Sequence, residues 1–397
     1  MIYVFYVLAR ILLLQGLVSL LEGIRFLKII RRAQQEYPVP FTPMVSIIAP
    51  CKGVDNGMAE NLRALFNQDY PKYEIVFAIA SNADPARGVI ERVMAQRPDR
   101  TARLVVADRA GNRSEKINNL LCALQHVSPD AEAFAFVDSD AQVRSDWLRS
   151  LVSPLADTQV GAATGYRWYL PEMGGFWSAA LSAWNGSVAT TLGDDRRNFA
   201  WGGSTAILRQ TFDMLNIAKH WQGAVSDDYA LTRAVHDAGL GLRFAPRCLV
   251  VSREDATFKS LLEFTTRQVV ITRVYRPASW WVGMVSSALF CAVFFGGSAF
   301  TLGLAIGGAN IAIPSIMLAA IYLVGSVKGV LRLSAAREAI PSARNEIMRL
   351  WWMYCLLWPL ISLIFLMNFI TSATTRRILW RGVCYEMRSP TETVIIR

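Results

Sequence analysis

The chain has 397 residues, room for two or three folding units, of which 53% are hydrophobic and only 18% charged. That balance excludes an ordinary soluble enzyme, and the apolar residues gather at the two ends. The formal net charge of +10 does not argue for nucleic acid. Much of the excess flanks the apolar stretches, where basic residues set topology and meet anionic lipid, and no zinc-finger spacing, basic helix or RNA-binding aromatic pattern occurs.

Ile2–Leu21 is long enough to cross a bilayer. Arg10 and Gln15 within it should snorkel or face other helices. No basic n-region precedes the stretch and no small-residue cleavage site follows, so it reads as an uncleaved anchor over residues 1–32. The flank Arg25-Phe-Leu-Lys-Ile-Ile-Arg-Arg32 stays in the cytoplasm by the positive-inside rule.

From Met44 onward the pattern alternates strand and helix. Val45–Ala49, Glu74–Ala80, Leu104–Ala107 and Phe134–Val137 are short apolar runs, and Ala59–Gln68, Ala86–Gln96 and Lys116–His126 have helical spacing. Such alternation predicts an α/β domain over 43–257 with a mostly parallel sheet covered on both faces. Ligands of these sheets bind beyond the carboxyl ends of the strands. Three polar clusters fall there: Cys51-Lys-Gly-Val-Asp55, Ser81-Asn-Ala-Asp-Pro85 and Asp138-Ser-Asp140.

The last cluster follows an apolar strand, and residues i and i+2 of extended backbone point the same way. Asp138 and Asp140 would then face one ligand together, as a hard divalent cation completed by substrate phosphates requires. A solvated turn explains the same triplet. Further on, Gly161–Tyr169 reads as a strand and Phe199-Ala-Trp-Gly-Gly-Ser-Thr205 as a loop whose paired glycines allow close backbone approach. Ser226 is placed to cap a helix that ends at Gly239. Asp227 and Asp228 in its first turn serve either as a base with its neighbour or simply as acids favoured by the helix dipole.

Phe258–Tyr275 mixes apolar residues with Lys259, Arg267 and Arg273, fitting an interfacial segment over 258–279 or an ordinary amphipathic core helix. Trp280–Gly307, Ile311–Leu331 and Leu350–Ser372 are further apolar stretches, grouped as membrane helices over 280–372. Pro359 inside the last allows a kink or a re-entrant hairpin. The tail, 373–397, holds Arg376, Arg377, Arg381 and Arg388, and a single crossing would put these on the outside. The six cysteines are scattered without a C-x-x-C and read as reduced thiols, and three histidines leave little for a His-based site.

In this order the chain resembles membrane-bound family 2-type glycosyltransferases, and more closely the ceramide glucosyltransferase family with its bacterial relatives. Lys52-Gly-Val-Asp55, Gln68-Asp-Tyr-Pro-Lys-Tyr-Glu74, Asp84-Pro85 and Lys116-Ile-Asn-Asn-Leu120 carry the resemblance. It implies a GT-A catalytic domain, Rossmann-like, between transmembrane helices. It also implies an inverting transfer of one sugar from a nucleotide-diphosphate sugar such as UDP-glucose to a lipid hydroxyl such as that of ceramide. Asp84 matches the family's first aspartate, at the nucleotide. Asp138 matches the second and with Asp140 would hold Mg²⁺ or Mn²⁺ and the diphosphate. Asp228 matches the third, the expected base, with Asp227 beside it. Lys52, Lys116 and Gly203 are further donor-side candidates. The family's (Q/R)-x-x-R-W signature falls on Arg267–Ile271, where Val270 and Ile271 replace Arg and Trp, leaving Arg267, Gln268 and Arg273. The expected partners are a nucleotide sugar, a lipid acceptor and the membrane, with no nucleic acid. The expected location is a bacterial inner membrane, or endoplasmic reticulum or Golgi in a eukaryote, with the catalytic domain cytosolic. A processive polysaccharide synthase is the alternative reading, and a non-enzymatic transporter or receptor a more distant one.

Overall fold

The computed structural model describes residues 2–36 and 39–396. The chain divides into two compact units. One comprises Arg32–Tyr169, Leu192–Arg253 and Arg376–Arg397; the other comprises the chain up to Arg31, Leu170–Thr191 and Glu254–Thr375.

The first unit is built on seven strands: β1 (Val45–Pro50), β2 (Tyr73–Ile79), β3 (Ala102–Val106), β4 (Ala133–Val137), β5 (Val160–Leu170), β6 (Ser204–Leu208) and β7 (Gly241–Arg253). They lie in the order β3-β2-β1-β4-β6-β5-β7. β1 runs parallel to β2 and β4, β2 runs parallel to β3, and β6 is antiparallel to β4 and β5. Alternate side chains feed two cores, as period-2 strands in a covered sheet must. Ile47, Phe77 and Ala135 pack with Leu62, Ile90 and Trp147 on one face. Ile48, Val76 and Phe136 pack with Leu120, Trp221 and Leu231 on the other.

Register positions the site. Val137 at the end of β4 pairs with Ser204 at the start of β6. The residues after Val137 and before Ser204 therefore meet, and Asp138 N donates to Gly203 O at 3.4 Å. The strand stops at Val137, so Asp138 and Asp140 lie in a turn rather than on extended backbone. The expected loop holds through Gly203, with Ser204 and Thr205 already in a strand, and the expected tail is built of strands. β6 follows directly on the paired glycines, and Arg377–Trp380 (β8), Val383–Ser389 (β9) and Glu392–Ile396 (β10) form an antiparallel meander.

In the second unit, Ile2–Gln35, Pro277–Ile306 and Ala312–Ala339 are long and apolar enough to cross a membrane. Many of their outward residues are apolar, among them Leu14, Leu21, Val282, Leu302, Ile316 and Leu323, a surface suited to lipid rather than water, although Arg10 and Lys28 are also exposed. The stretch expected as a fourth apolar helix is broken at Leu356 and Leu357 into Trp351–Cys355 and Trp358–Thr374. Backbone carbonyls freed by a break inside apolar surroundings need donors. Ser326 Oγ donates to Cys355 O at 2.7 Å and Tyr322 Oη to Leu356 O at 3.1 Å, both from Ala312–Ala339. The second arm returns to Phe258–Tyr275, where Asn368 Nδ2 donates to Thr265 Oγ1 at 2.9 Å and Thr266 Oγ1 at 3.0 Å.

Candidate active site

The turn after β4, strand β5 and the starts of helices Glu115–Leu124 and Asp227–Asp237 bring together four carboxylates and two cations. Lys116, in the first turn of helix Glu115–Leu124, places Nζ 2.9 Å from Asp138 Oδ1 and 3.3 Å from Asp227 Oδ1. Ser114 caps that helix by accepting from Ile117 N, which fixes where Lys116 projects. Arg167 projects from β5 between the two motif acids. Its Nη2 lies 3.2 Å from both Asp138 Oδ2 and Asp140 Oδ1, and its Nη1 lies 3.3 Å from Asp140 Oδ2. The two carboxylates thus converge on one point although the strand ends before them.

Ser226 caps helix Asp227–Asp237 as the sequence predicts, accepting from Tyr229 N at 3.2 Å. The two acids that follow differ. Asp227 is 5% exposed and faces Lys116. Asp228 is half-buried, and its Oδ1 accepts from Ser226 Oγ and, at 2.8 Å, from Tyr229 N. Among the described residues its Oδ2 has only a long contact, 3.5 Å, from Gly202 N. The paired glycines are required sterically: a Cβ on Gly202 would strike the Asp227 carboxylate and Lys116 Nζ, and one on Gly203 would strike the Trp201 indole.

Electrostatics separate these groups. Burial disfavours charge on Asp138, but Lys116 and Arg167 outweigh it and hold its carboxyl below the usual range. At Asp227 burial wins, helped by Asp228 and Asp138 and opposed by Lys116, and its carboxyl is pushed up to about 6. Lys116 is raised: its burial opposes the charge, and Asp138, Asp227 and Asp228 overcome that.

Other expected site residues lie elsewhere. Asp84 Oδ1 accepts from Gly53 N and Ala86 N, both at 2.9 Å, tying the loop after β1 to the helix after β2. Lys52 is ion-paired with Glu115. Arg267 and Gln268 sit on Phe258–Tyr275 in the other unit, where the Arg267 guanidinium lies 5.3 Å from the Phe264 ring centroid. Sequence reasoning puts Asp55 at the ligand edge without a role and does not single out Arg167, Tyr169 or Arg381 for the site. Arg381, in the turn after β8, donates to Lys52 O and, at 2.7 Å, to Asp55 Oδ2.

Asp138 and Asp140 carry the oxygen donors a hard divalent cation takes. Among the described residues no cluster of three or more His, Cys, Asp or Glu could hold a metal ion, so donor phosphates would have to complete the shell. The point of convergence is taken by Arg167, and an ion does not fit there unless the guanidinium moves.

The family described as glycosyl transferase family 21 matches residues 8–393. The chain belongs to that family. It is 24% identical over 239 residues to ceramide glucosyltransferase 3 of Caenorhabditis elegans, covering 59% of this chain and 52% of the relative. It is 32% identical over 137 residues to the ceramide glucosyltransferase of Komagataella phaffii, covering 33% and 26%. These matches span about half or less of the relatives' length. Among solved structures, mannosyltransferase PcManGT from Pyrobaculum calidifontis, in complex with GDP-Man and Mn2+, aligns over 93% of this chain and 99% of its own, with TM-score 0.50 and 17% identity. That likeness concerns the fold: the mostly parallel sheet is of the GT-A type.

Proposed function

We propose that this family 21 chain transfers one sugar from a nucleotide-diphosphate sugar to the hydroxyl of a membrane lipid, with inversion at the anomeric carbon. UDP-glucose and ceramide are the donor and acceptor of first choice, on the names of the relatives. The observation that carries the reading is the meeting of Asp138, Asp140, Lys116 and the Gly202-Gly203 loop with the acid pair that opens helix Asp227–Asp237.

Asp228 is the base. Its Oδ1 is engaged by Ser226 and Tyr229, which orients the carboxylate, and its Oδ2 is the oxygen left to take a proton. The lipid hydroxyl gives its proton to Oδ2 as its oxygen bonds to the anomeric carbon. The bond to the phosphate oxygen breaks on the opposite face, and the nucleoside diphosphate leaves. No enzyme nucleophile is required, hence inversion. Lys116 adds fixed positive charge near the departing diphosphate. Asp138 and Asp140 are the residues that would hold a divalent ion, and the Mn2+ in the PcManGT complex supports divalent-metal use in the fold; here such an ion competes with Arg167. Asp84, Lys52 and Gly203 are proposed for the donor side; Arg267 and Gln268, expected to bind the nucleotide sugar, belong to the other unit.

The test uses full-length protein in detergent–lipid micelles with a panel of nucleotide sugars and a total lipid extract. One sugar should enter the lipid fraction, and Asp228→Asn should lower the rate by about 10²–10⁴-fold without weakening UDP binding. Appearance of polymer would favour a polysaccharide synthase, and full activity in Asp228→Asn would remove the assigned base.

A further inference from the structure

Arg167 is built into the site rather than resting on it. Its side chain is 11% exposed. Besides the two motif carboxylates, its Nη1 donates to Tyr169 Oη at 2.7 Å, and its guanidinium carbon lies 4.6 Å from the Trp201 ring centroid and 5.3 Å from that of Tyr169. Trp201 is itself fixed, its N donating to Thr164 Oγ1 at 2.9 Å. A guanidinium clamped by aromatic faces and a phenol has lost most of its freedom before any ligand arrives, so little further ordering cost attends binding.

Its position gives it a role. A metal in such an acid pair places positive charge where a diphosphate gathers negative charge. Here Lys116 and Arg167 already set two cationic side chains against Asp138 and Asp140. An incoming diphosphate therefore meets a pair of acids that already face cationic side chains. The planar fork of an arginine suits phosphate oxygens, and charge-assisted bonds of this type are among the strongest a side chain makes.

We propose that Arg167 binds the donor diphosphate and lets the nucleotide sugar bind without a divalent metal ion. The inference rests on the nucleotide-sugar reading above. Arg167 and a divalent ion are alternatives for one place, so removing the guanidinium exposes the carboxylates and creates a metal site.

Calorimetric titration of UDP into the full-length protein, in EDTA and in MnCl₂, tests this for wild type, Arg167→Lys and Arg167→Met. Wild-type affinity should change by less than about threefold between the two buffers. Arg167→Met should bind about tenfold or more weakly in EDTA and recover in MnCl₂, with bound Mn²⁺ visible by electron paramagnetic resonance in that variant and not in wild type. Arg167→Lys should lie between. A wild type that loses tenfold or more in EDTA overturns the proposal and leaves the glycosyltransferase reading standing. So does an Arg167→Met protein that binds UDP in EDTA as wild type does. Absence of binding to UDP and GDP in both buffers overturns the two together. The wild-type comparison needs no variant to fold.

Discussion

Two adjacent aspartates show how local burial divides one chemical type into two roles. Asp228 is half-buried with one oxygen engaged, and suits a base. Asp227 is buried, and its carboxyl rises from the ordinary 3.8 to about 6. The folded protein then keeps a proton that the unfolded chain releases between those values. Stability from this group is fully present below pH 3.8 and is lost as pH climbs through 6. Asp227→Asn cannot titrate, so its melting temperature relative to wild type should be higher at pH 7.5 than at pH 4.5. Differential scanning fluorimetry across that range checks it, and a pH-independent difference would show that Lys116 neutralises Asp227 fully. Residue chemistry was partly legible beforehand. Acids after a strand and at a helix start announce themselves by position, whereas Arg167 did not. An arginine on a strand reads as a solvent-facing charge until the fold supplies Asp138, Asp140 and Trp201 around it.

At the scale of elements, legibility followed period and burial. The strands β1, β2, β4 and β5 were readable because both faces are buried, leaving continuous apolar runs. The meander β8–β10 was not, since its short strands alternate Arg, Glu and apolar residues and pass for a charged tail. Hydropathy sees Leu350–Ser372 as one stretch; Pro359 points to a kink or re-entrant hairpin, and the break falls just before it, with Pro359 at the start of the second helix, a position that suits proline. The break depends on the neighbouring helix. Gly329 leaves no room for a side chain over Tyr354 O, and Ser326 and Tyr322 take up the next carbonyls. Ser326→Ala and Tyr322→Phe should each destabilise by about 0.6–1.7 kcal/mol, and the pair together by more. Thermal unfolding in detergent measures this; a double variant indistinguishable from wild type would mean the carbonyls need no such donors.

For the whole molecule, the broken helix and the meander jointly decide the path of the chain across the membrane. The meander belongs to the catalytic unit. Glu115 N donates to Tyr385 Oη at 3.2 Å, Thr393 Oγ1 donates to Gly223 O at 2.6 Å, and Arg381 holds Asp55. Residues 376–396 must then lie on the same side of the bilayer as the sheet. After Glu254 come Pro277–Ile306 and Ala312–Ala339, both long and apolar enough to cross, and as a pair they would carry the chain over and back. A third full crossing would strand the tail opposite its own partners, with Arg376, Arg377, Arg381 and Arg388 on the side the positive-inside rule disfavours. A hairpin that enters along Trp351–Cys355, turns at Leu356 and leaves along Trp358–Thr374 removes the conflict without a crossing. Two cysteines, introduced singly into a variant lacking the six native ones, report on this in sealed vesicles whose external face is exposed. A membrane-impermeant maleimide should label Asn310→Cys, in the connection between the two spanning helices, and spare Glu392→Cys in β10 until detergent is added. Labelling of both before detergent would mean that Trp358–Thr374 crosses after all. The meander could then not remain on the catalytic unit, and the contact of Arg381 with Asp55 would be lost in the membrane.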